Sequence, residues 1–212
     1  APIYATQLTR GLIEAKLARN GGLRADMHTI QSGDKVKIGA FEIDFFHVCH
    51  SIPDGVGLGI HTPQGLVIHT GDFKFDQTPV DGWPTDFSML AELSQKGVLA
   101  LLSDSTNSVR IGWTPSEKVI EPALDNIFRD APGRIVVASF ASLISRMQQV
   151  ANAAQAHNRK LVFVGTSMVD NAKIARKLGY LNIDDSLMVS LEQALKMPPS
   201  QVVLMCTGSQ GE

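Results

Sequence analysis

The chain has 212 residues, 44% of them hydrophobic, and a formal charge of −2. Such a length allows one large domain or two small ones, with enough apolar side chain for packed cores. The near-neutral charge excludes a nucleic-acid binder that works through a broad basic field, so any such role has to rest on local sites.

Residues 3–5 read as a short strand. Thr6 is placed to cap a helix over 7–20, with Leu8, Leu12, Ala15 and Leu17 facing a core and Gly21-Gly22 ending it. Residues 27–30 and 35–38 read as edge strands around the turn Ser32-Gly33-Asp34. Three apolar runs follow at 41–48, 56–62 and 66–70, punctuated by Pro-Asp-Gly and Pro-Gln-Gly, the pattern of consecutive strands joined by tight turns. Residues 77–85 form a loop, 87–95 a helix, and the continuous apolar run 98–103 predicts a buried strand.

After Asn107 strand and helix alternate. Thr114-Pro115-Ser116-Glu117 has the form of a capping box leading into a helix marked by Val119, Ile120, Ala123, Leu124, Ile127 and Phe128. Strands at 134–139, 161–165 and 202–206 are separated by helices at 143–157, 169–178 and 190–196. This alternation predicts an α/β fold whose second part is a parallel sheet with helices on both faces. A boundary near 107–112 divides the chain into domains 1–107 and 108–212.

Cys49 and Cys206 lie far apart, which speaks against a disulfide framework and for a reduced, cytoplasmic setting. No signal peptide precedes the first helix, and no run of about 18 apolar residues could span a membrane. The chain opens directly on a strand and stops in a loop, so both ends are expected to be cuts in a longer protein.

Chemistry concentrates where strands end. His50 stands in His50-Ser51-Ile52-Pro53-Asp54 and Asp72 in Thr70-Gly71-Asp72-Phe73-Lys74. An imidazole and a carboxylate that converge from neighbouring strand tips suit zinc or manganese. Pro53 stops the first strand, and Gly71 permits close backbone approach. Asp104 ends the 98–103 strand. His47, His61 and His69 lie within strand runs and read as structural; His28 and His157 read as surface residues; Asp54 and Lys74 read as turn or salt-bridge groups. Ser139-Phe140-Ala141-Ser142, with Arg146 in the helix beyond, and Thr207-Gly208-Ser209 follow strands where backbone N–H groups can meet an anion. There is no GxGxxG or Walker sequence, which disfavours a nucleotide cofactor.

These motifs, together with Leu101-Leu102-Ser103-Asp104-Ser105-Thr106-Asn107 and the terminal Thr207-Gly208-Ser209-Gln210-Gly211-Glu212, resemble in wording and order the ribonuclease J family, a β-CASP branch of the metallo-β-lactamase fold. The resemblance implies part of an αββα metallo-β-lactamase sandwich followed by the start of a Rossmann-like β-CASP domain. It implies endonucleolytic and 5′-to-3′ hydrolysis of RNA, with 5′-monophosphorylated RNA as substrate, in a cytoplasmic homo-oligomer without membrane attachment. Two zinc ions are implied, with manganese or magnesium as alternatives. His50 and Asp72 are then metal ligands, Asp72 bridging the two ions, and Asp104 supports them. Ser139, Ser142, Arg146 and Ser209 contact RNA phosphates.

The family's His-x-His-x-Asp-His motif does not occur in these residues. Two side chains cannot complete the coordination of two ions, so this stretch alone is expected to bind catalytic metal weakly and to cleave little. Two rival readings stand beside the nuclease: a small-substrate hydrolase of the same fold, against which the α/β insertion after Asp104 argues, and a non-catalytic RNA-binding or dimerisation scaffold.

Overall fold

A computed structural model of the chain describes residues 1–208. The chain divides into two compact units, Ala1–Glu117 and Lys118–Glu212. The mixed α/β composition expected from the sequence is what the structure has.

In the first unit, β1 (Ile3–Ala5) runs parallel to β2 (Met27–Thr29), with α1 (Gln7–Arg19) between them. A five-stranded sheet has the order β3 (Lys35–Ile38), β4 (Phe41–His47), β5 (Val56–Thr62), β6 (Gly65–His69), β7 (Val98–Leu102). Strands β3 to β6 form an antiparallel meander. β7 joins β6 in parallel after a crossover through α2 (Phe87–Gln95). The consequence for the site is topological. β4, β6 and β7 run in one direction and β5 in the other, so the loops after β4, β6 and β7 all leave the same end of the sheet.

One face of this sheet is held by Phe46, Val48, Leu66 and Ile68 packed with Leu93 of α2. β5 reads Val56-Gly57-Leu58-Gly59-Ile60 because two of its residues must have no side chain. A Cβ on Gly57 would run into the Phe46 ring, and one on Gly59 would come within 3.0 Å of Leu93.

The second unit carries α3 (Glu121–Asp130), β8 (Ile135–Ala138), α4 (Ile144–Ala156), β9 (Lys160–Val164), α5 (Thr166–Lys177), α6 (Leu191–Lys196) and β10 (Val202–Cys206). Its three strands are all parallel, in the order β8-β10-β9. Met147, Val150 and Ala154 of α4 and Met168 and Ala175 of α5 are fully buried, as are Leu161, Val202 and Met205 of the strands. Among the described residues no helix is long and apolar enough to cross a membrane.

Three local expectations are corrected. The run 98–103 is not a buried strand: Leu99 and Leu101 are each 61% exposed, because β7 is an outer strand of its sheet and, among the described residues, nothing covers either of its faces. β2 and β3 are edge strands on either side of the Ser32-Gly33 turn, as expected, each in its own sheet. Thr114–Glu117 is not a capping box. The Ser116 hydroxyl donates to the Thr78 carbonyl (2.9 Å) and Glu117 pairs with Lys74 (3.2 Å); a 3-10 turn, Glu117–Ile120, follows, and the α-helix starts at Glu121-Pro122. Of the apolar residues expected to face a core from α1, only Leu8 is buried. Its Thr6 caps by position but not by side chain, since the carboxylate of Asp54 takes that role.

Candidate active site

Each candidate ligand lies just past a strand tip: His50 after β4, Asp72 after β6 and Asp104 after β7. The three loops are hydrogen-bonded to one another. Lys74 N–H donates to the Cys49 carbonyl (2.9 Å), joining the Asp72 loop to the residue before His50. Asp104 N–H donates to Thr70 Oγ1 (3.0 Å), and the Asp104 carboxylate accepts from the Phe73 N–H. His50 is half-buried, while Asp72 and Asp104 are exposed.

Gly71 lets the Asp72 loop turn this sharply. Its φ is +62°, and a Cβ there would sit 3.1 Å from the Val56 carbonyl oxygen, so a larger residue would strain the backbone. The far end of the His50 loop is pinned by Asp54. This buried residue, in the left-handed region at φ +58°, accepts from Thr6 Oγ1 (3.0 Å) and Leu8 N–H (2.9 Å) at the start of α1. An Asp before Gly tolerates that backbone conformation; the remote partner could not be read from the sequence.

Among the described residues the Asp72 carboxylate has no hydrogen-bond or ion-pair partner. Asp104 differs. The Thr106 hydroxyl (2.6 Å) and N–H (3.0 Å) hold it below the usual carboxylate range, helped by the Phe73 N–H and the nearby His50 charge. Asp104 therefore faces the same loops while being oriented by its own turn. His50 Nδ1 lies 3.5 Å from Ser51 Oγ.

Cys49 is the other soft donor beside His50. Burial, reinforced by the charges of Asp76 and Asp81, pushes its thiol up to about 11, so near neutral pH it is not the thiolate that binds metals. In native protein at pH 8, Cys49 is expected to stay unmodified by iodoacetamide while the denatured chain is alkylated fully. Peptide mapping by mass spectrometry checks this; prompt native labelling of Cys49 would contradict it.

The remaining histidines have protein partners. His47 is buried, stacks on Trp83 with ring centroids 3.7 Å apart, and donates from Nδ1 to the Pro84 carbonyl (2.9 Å). Burial holds its pKa below the ordinary imidazole value in spite of that carbonyl. His61 Nε2 meets Asp44 at 2.9 Å. His69 Nδ1 accepts from Gly71 N–H (3.0 Å). His28 is exposed beside Asp26, but His157 is half-buried, with Nε2 2.8 Å from Asp125.

The phosphate-contact candidates lie in the second unit. Ser139 follows β8, its N–H donating to the Cys206 carbonyl (3.0 Å) and its Oγ buried without a partner among the described residues. Ser142 stands in the same turn before α4, and Arg146 in α4 donates from Nε to Gln149 (3.0 Å). Ser209 falls outside the described residues.

Among the described residues no three His, Cys, Asp or Glu side chains gather as a metal-binding group. An imidazole and an unpartnered carboxylate suit a first-row divalent cation. His50 and Asp72 thus fit part of a coordination shell, though not a whole one. Three residues around them were not singled out from sequence: Thr85, Asp76 and, in its capping role, Asp54. Their roles consist of contacts across tens of residues, for which a single sequence carries no local signal.

Residues 132–212 match the sequence model described as the β-CASP domain of ribonuclease J. The chain is 42% identical over 213 residues to ribonuclease J of Helicobacter pylori strain J99, covering all of this chain and 31% of that protein. It is 44% identical over 211 residues to the Mycolicibacterium smegmatis ribonuclease J (all of this chain, 38% of that protein). To the Thermus thermophilus enzyme of the same name it is 43% identical over 215 residues (all of this chain, 37% of that protein). The chain thus spans about a third of the length of the curated relatives it matches. A crystal structure of a protein of unknown function from Enterococcus faecalis V583 superposes with a TM-score of 0.68 at 17% identity, over all of this chain and 54% of that one, a likeness of fold.

Proposed function

The chain belongs to the ribonuclease J family, and from that premise we propose that it forms part of a metal-dependent ribonuclease, cutting RNA phosphodiester bonds internally and from a 5′-monophosphorylated end. The observation that carries the reading is that the loops bearing His50, Asp72 and Asp104 leave one end of one sheet and are hydrogen-bonded to each other. His50 and Asp72 would hold divalent cations, zinc first and manganese or magnesium as alternatives, together with ligands that neither loop supplies. When bound, such ions supply an activated water and stabilise the charge that develops on the phosphodiester.

The chain's own residues do the rest. Among the described residues Asp72 has no partner to compete for its oxygens, so its negative charge is available to cations. Asp104, already satisfied on one side by Thr106, orients its neighbours in the manner of a carboxylate behind a metal-bound histidine. Ser139, Ser142 and Arg146 would meet RNA phosphates. The full-length protein would act in the cytoplasm as an oligomer, and this third of it would be inactive alone.

The test is a pair of substrates given to the full-length protein. Cleavage of 5′-monophosphorylated RNA, abolished by a chelator and restored by zinc or manganese, together with no hydrolysis of a thioester, is the expected result. Hydrolysis of the thioester in preference to RNA would favour the small-substrate reading, and absence of both activities the scaffold.

A further inference from the structure

β4 and β6 are not neighbours in the sheet; β5 lies between them, so no ladder hydrogen bond fixes the distance between the loops that carry His50 and Asp72. A side chain from a third segment does. Thr85 is 3% exposed. Its Oγ1 accepts from the Cys49 N–H (3.0 Å) and donates to the Lys74 carbonyl (3.3 Å). With the direct bond from Lys74 N–H to the Cys49 carbonyl (2.9 Å), this closes a ring of three hydrogen bonds. One corner of the ring precedes His50 by one residue, and another follows Asp72 by two.

Thr85 is itself held on both sides. Asp86 N–H donates to the His47 carbonyl (3.0 Å), Pro84 accepts from His47 Nδ1, and Trp83 covers the His47 ring. Asp86 also caps α2 at Met89 N–H (2.9 Å), and α2 is rooted in the core through fully buried Leu93. We propose that Thr85 is a positioning residue for a divalent-metal site, its hydroxyl setting the separation of the His50 and Asp72 loops. The proposal rests on the metal reading of those two residues. A valine there has the right shape but neither donates nor accepts. It would leave a buried N–H and a buried carbonyl apart and let the two loops drift. Loss of a group that orients ligands lowers metal affinity about 10–100-fold.

The experiment compares full-length wild-type protein with Thr85→Val, Thr85→Ala and Thr85→Ser. Zinc and manganese dissociation constants are measured by competition with a chromophoric chelator, and melting temperatures in the metal-free state. Leu66→Ala serves as the control, since it weakens the same sheet's core near the start of β6, away from the ring and from the segment that holds Thr85. The expected result is at least a tenfold loss of metal affinity in Thr85→Val, restored in Thr85→Ser, with affinity in Leu66→Ala unchanged although it melts earlier. Should the valine variant not fold, the alanine and serine variants carry the comparison. Affinity within twofold of wild type in the valine or alanine variant overturns the proposal. An equal loss in Leu66→Ala overturns it too, by reducing the effect to general stability. A wild-type protein that binds neither metal overturns the underlying metal reading, and is recognised from the wild-type measurement alone.

Discussion

Asp72→Asn in the full-length protein is expected to lower kcat/KM for RNA by about two to three orders of magnitude, with an unchanged melting temperature in the metal-free state. The side chain is exposed and bonds to nothing among the described residues, so the fold does not depend on it; substitutions at such surface positions typically stay within about 0.5 kcal/mol. Asparagine keeps the shape and one carbonyl oxygen but removes the charge that would hold a dication. A metal ion contributes several kcal/mol of charge stabilisation to the transition state, and each ~1.4 kcal/mol lost is tenfold in rate. Asp104→Asn is the informative comparison. Its carboxylate is engaged by Thr106 and Phe73, so its loss disorients neighbours without removing a ligand, and a smaller drop, about 10–100-fold, is expected. Steady-state kinetics on 5′-monophosphorylated RNA, with thermal melting of each variant, checks both. Asp72→Asn activity within tenfold of wild type would leave the carboxylate without a role at the metal.

What the sequence disclosed about this arrangement, and what it hid, follows the range of the interactions. Strands β4 to β6 were readable because each is a short apolar run between turn-forming residues, and the pair His50 and Asp72 stood out because both follow such runs. α2 was readable to the residue, because the contacts that form it, including the Asp86 cap found in the structure, are local. β7 was misjudged because five apolar residues in a row look the same whether or not both faces are covered. The misread capping box has a sharper lesson. Ser116 and Glu117 have the residue types that begin a helix, but partners near residue 76 outcompete the local geometry. Likewise Thr85 is an ordinary threonine in a proline-containing loop until the fold brings Cys49 and Lys74 to its hydroxyl.

The same long-range logic makes Asp76 a residue whose loss should cost the first unit stability. Asp76→Ala is expected to destabilise it by about 3 kcal/mol. The buried carboxylate accepts from Thr78 N–H (2.9 Å) and Glu117 N–H (3.2 Å), has the Ser116 hydroxyl beside it, and lies 3.5 Å from Lys74 Nζ. Hydrogen bonds to a charged group contribute about 1.5–3 kcal/mol each, and breaking a buried ion pair from one side costs about 3–5 kcal/mol. The lower end applies because Lys74 retains Glu117 as a counter-charge. Burial pushes the Asp76 pKa up, but the Thr78 and Glu117 N–H groups, the nearby Ser116 hydroxyl and the Lys74 charge outweigh it, so the folded value lies below the ordinary one. The sign follows from linkage. A carboxylate with a depressed folded pKa contributes fully above its unfolded pKa of ~3.9 and progressively less as pH falls through that value towards the folded pKa. Asp44, also lowered, with Lys35 and His61 outweighing its burial, gives the same slope in both proteins. The gap between wild type and Asp76→Ala should therefore be widest above about pH 5 and close on acidification, while the Asp44 contribution to the slope persists in the variant. Both tryptophans, Trp83 and Trp113, belong to the first unit, so urea denaturation followed by tryptophan fluorescence at pH 7, 5 and 3.5 reads that unit directly. A gap that stays constant over this range would mean that Asp76 acts through packing and not through its charge.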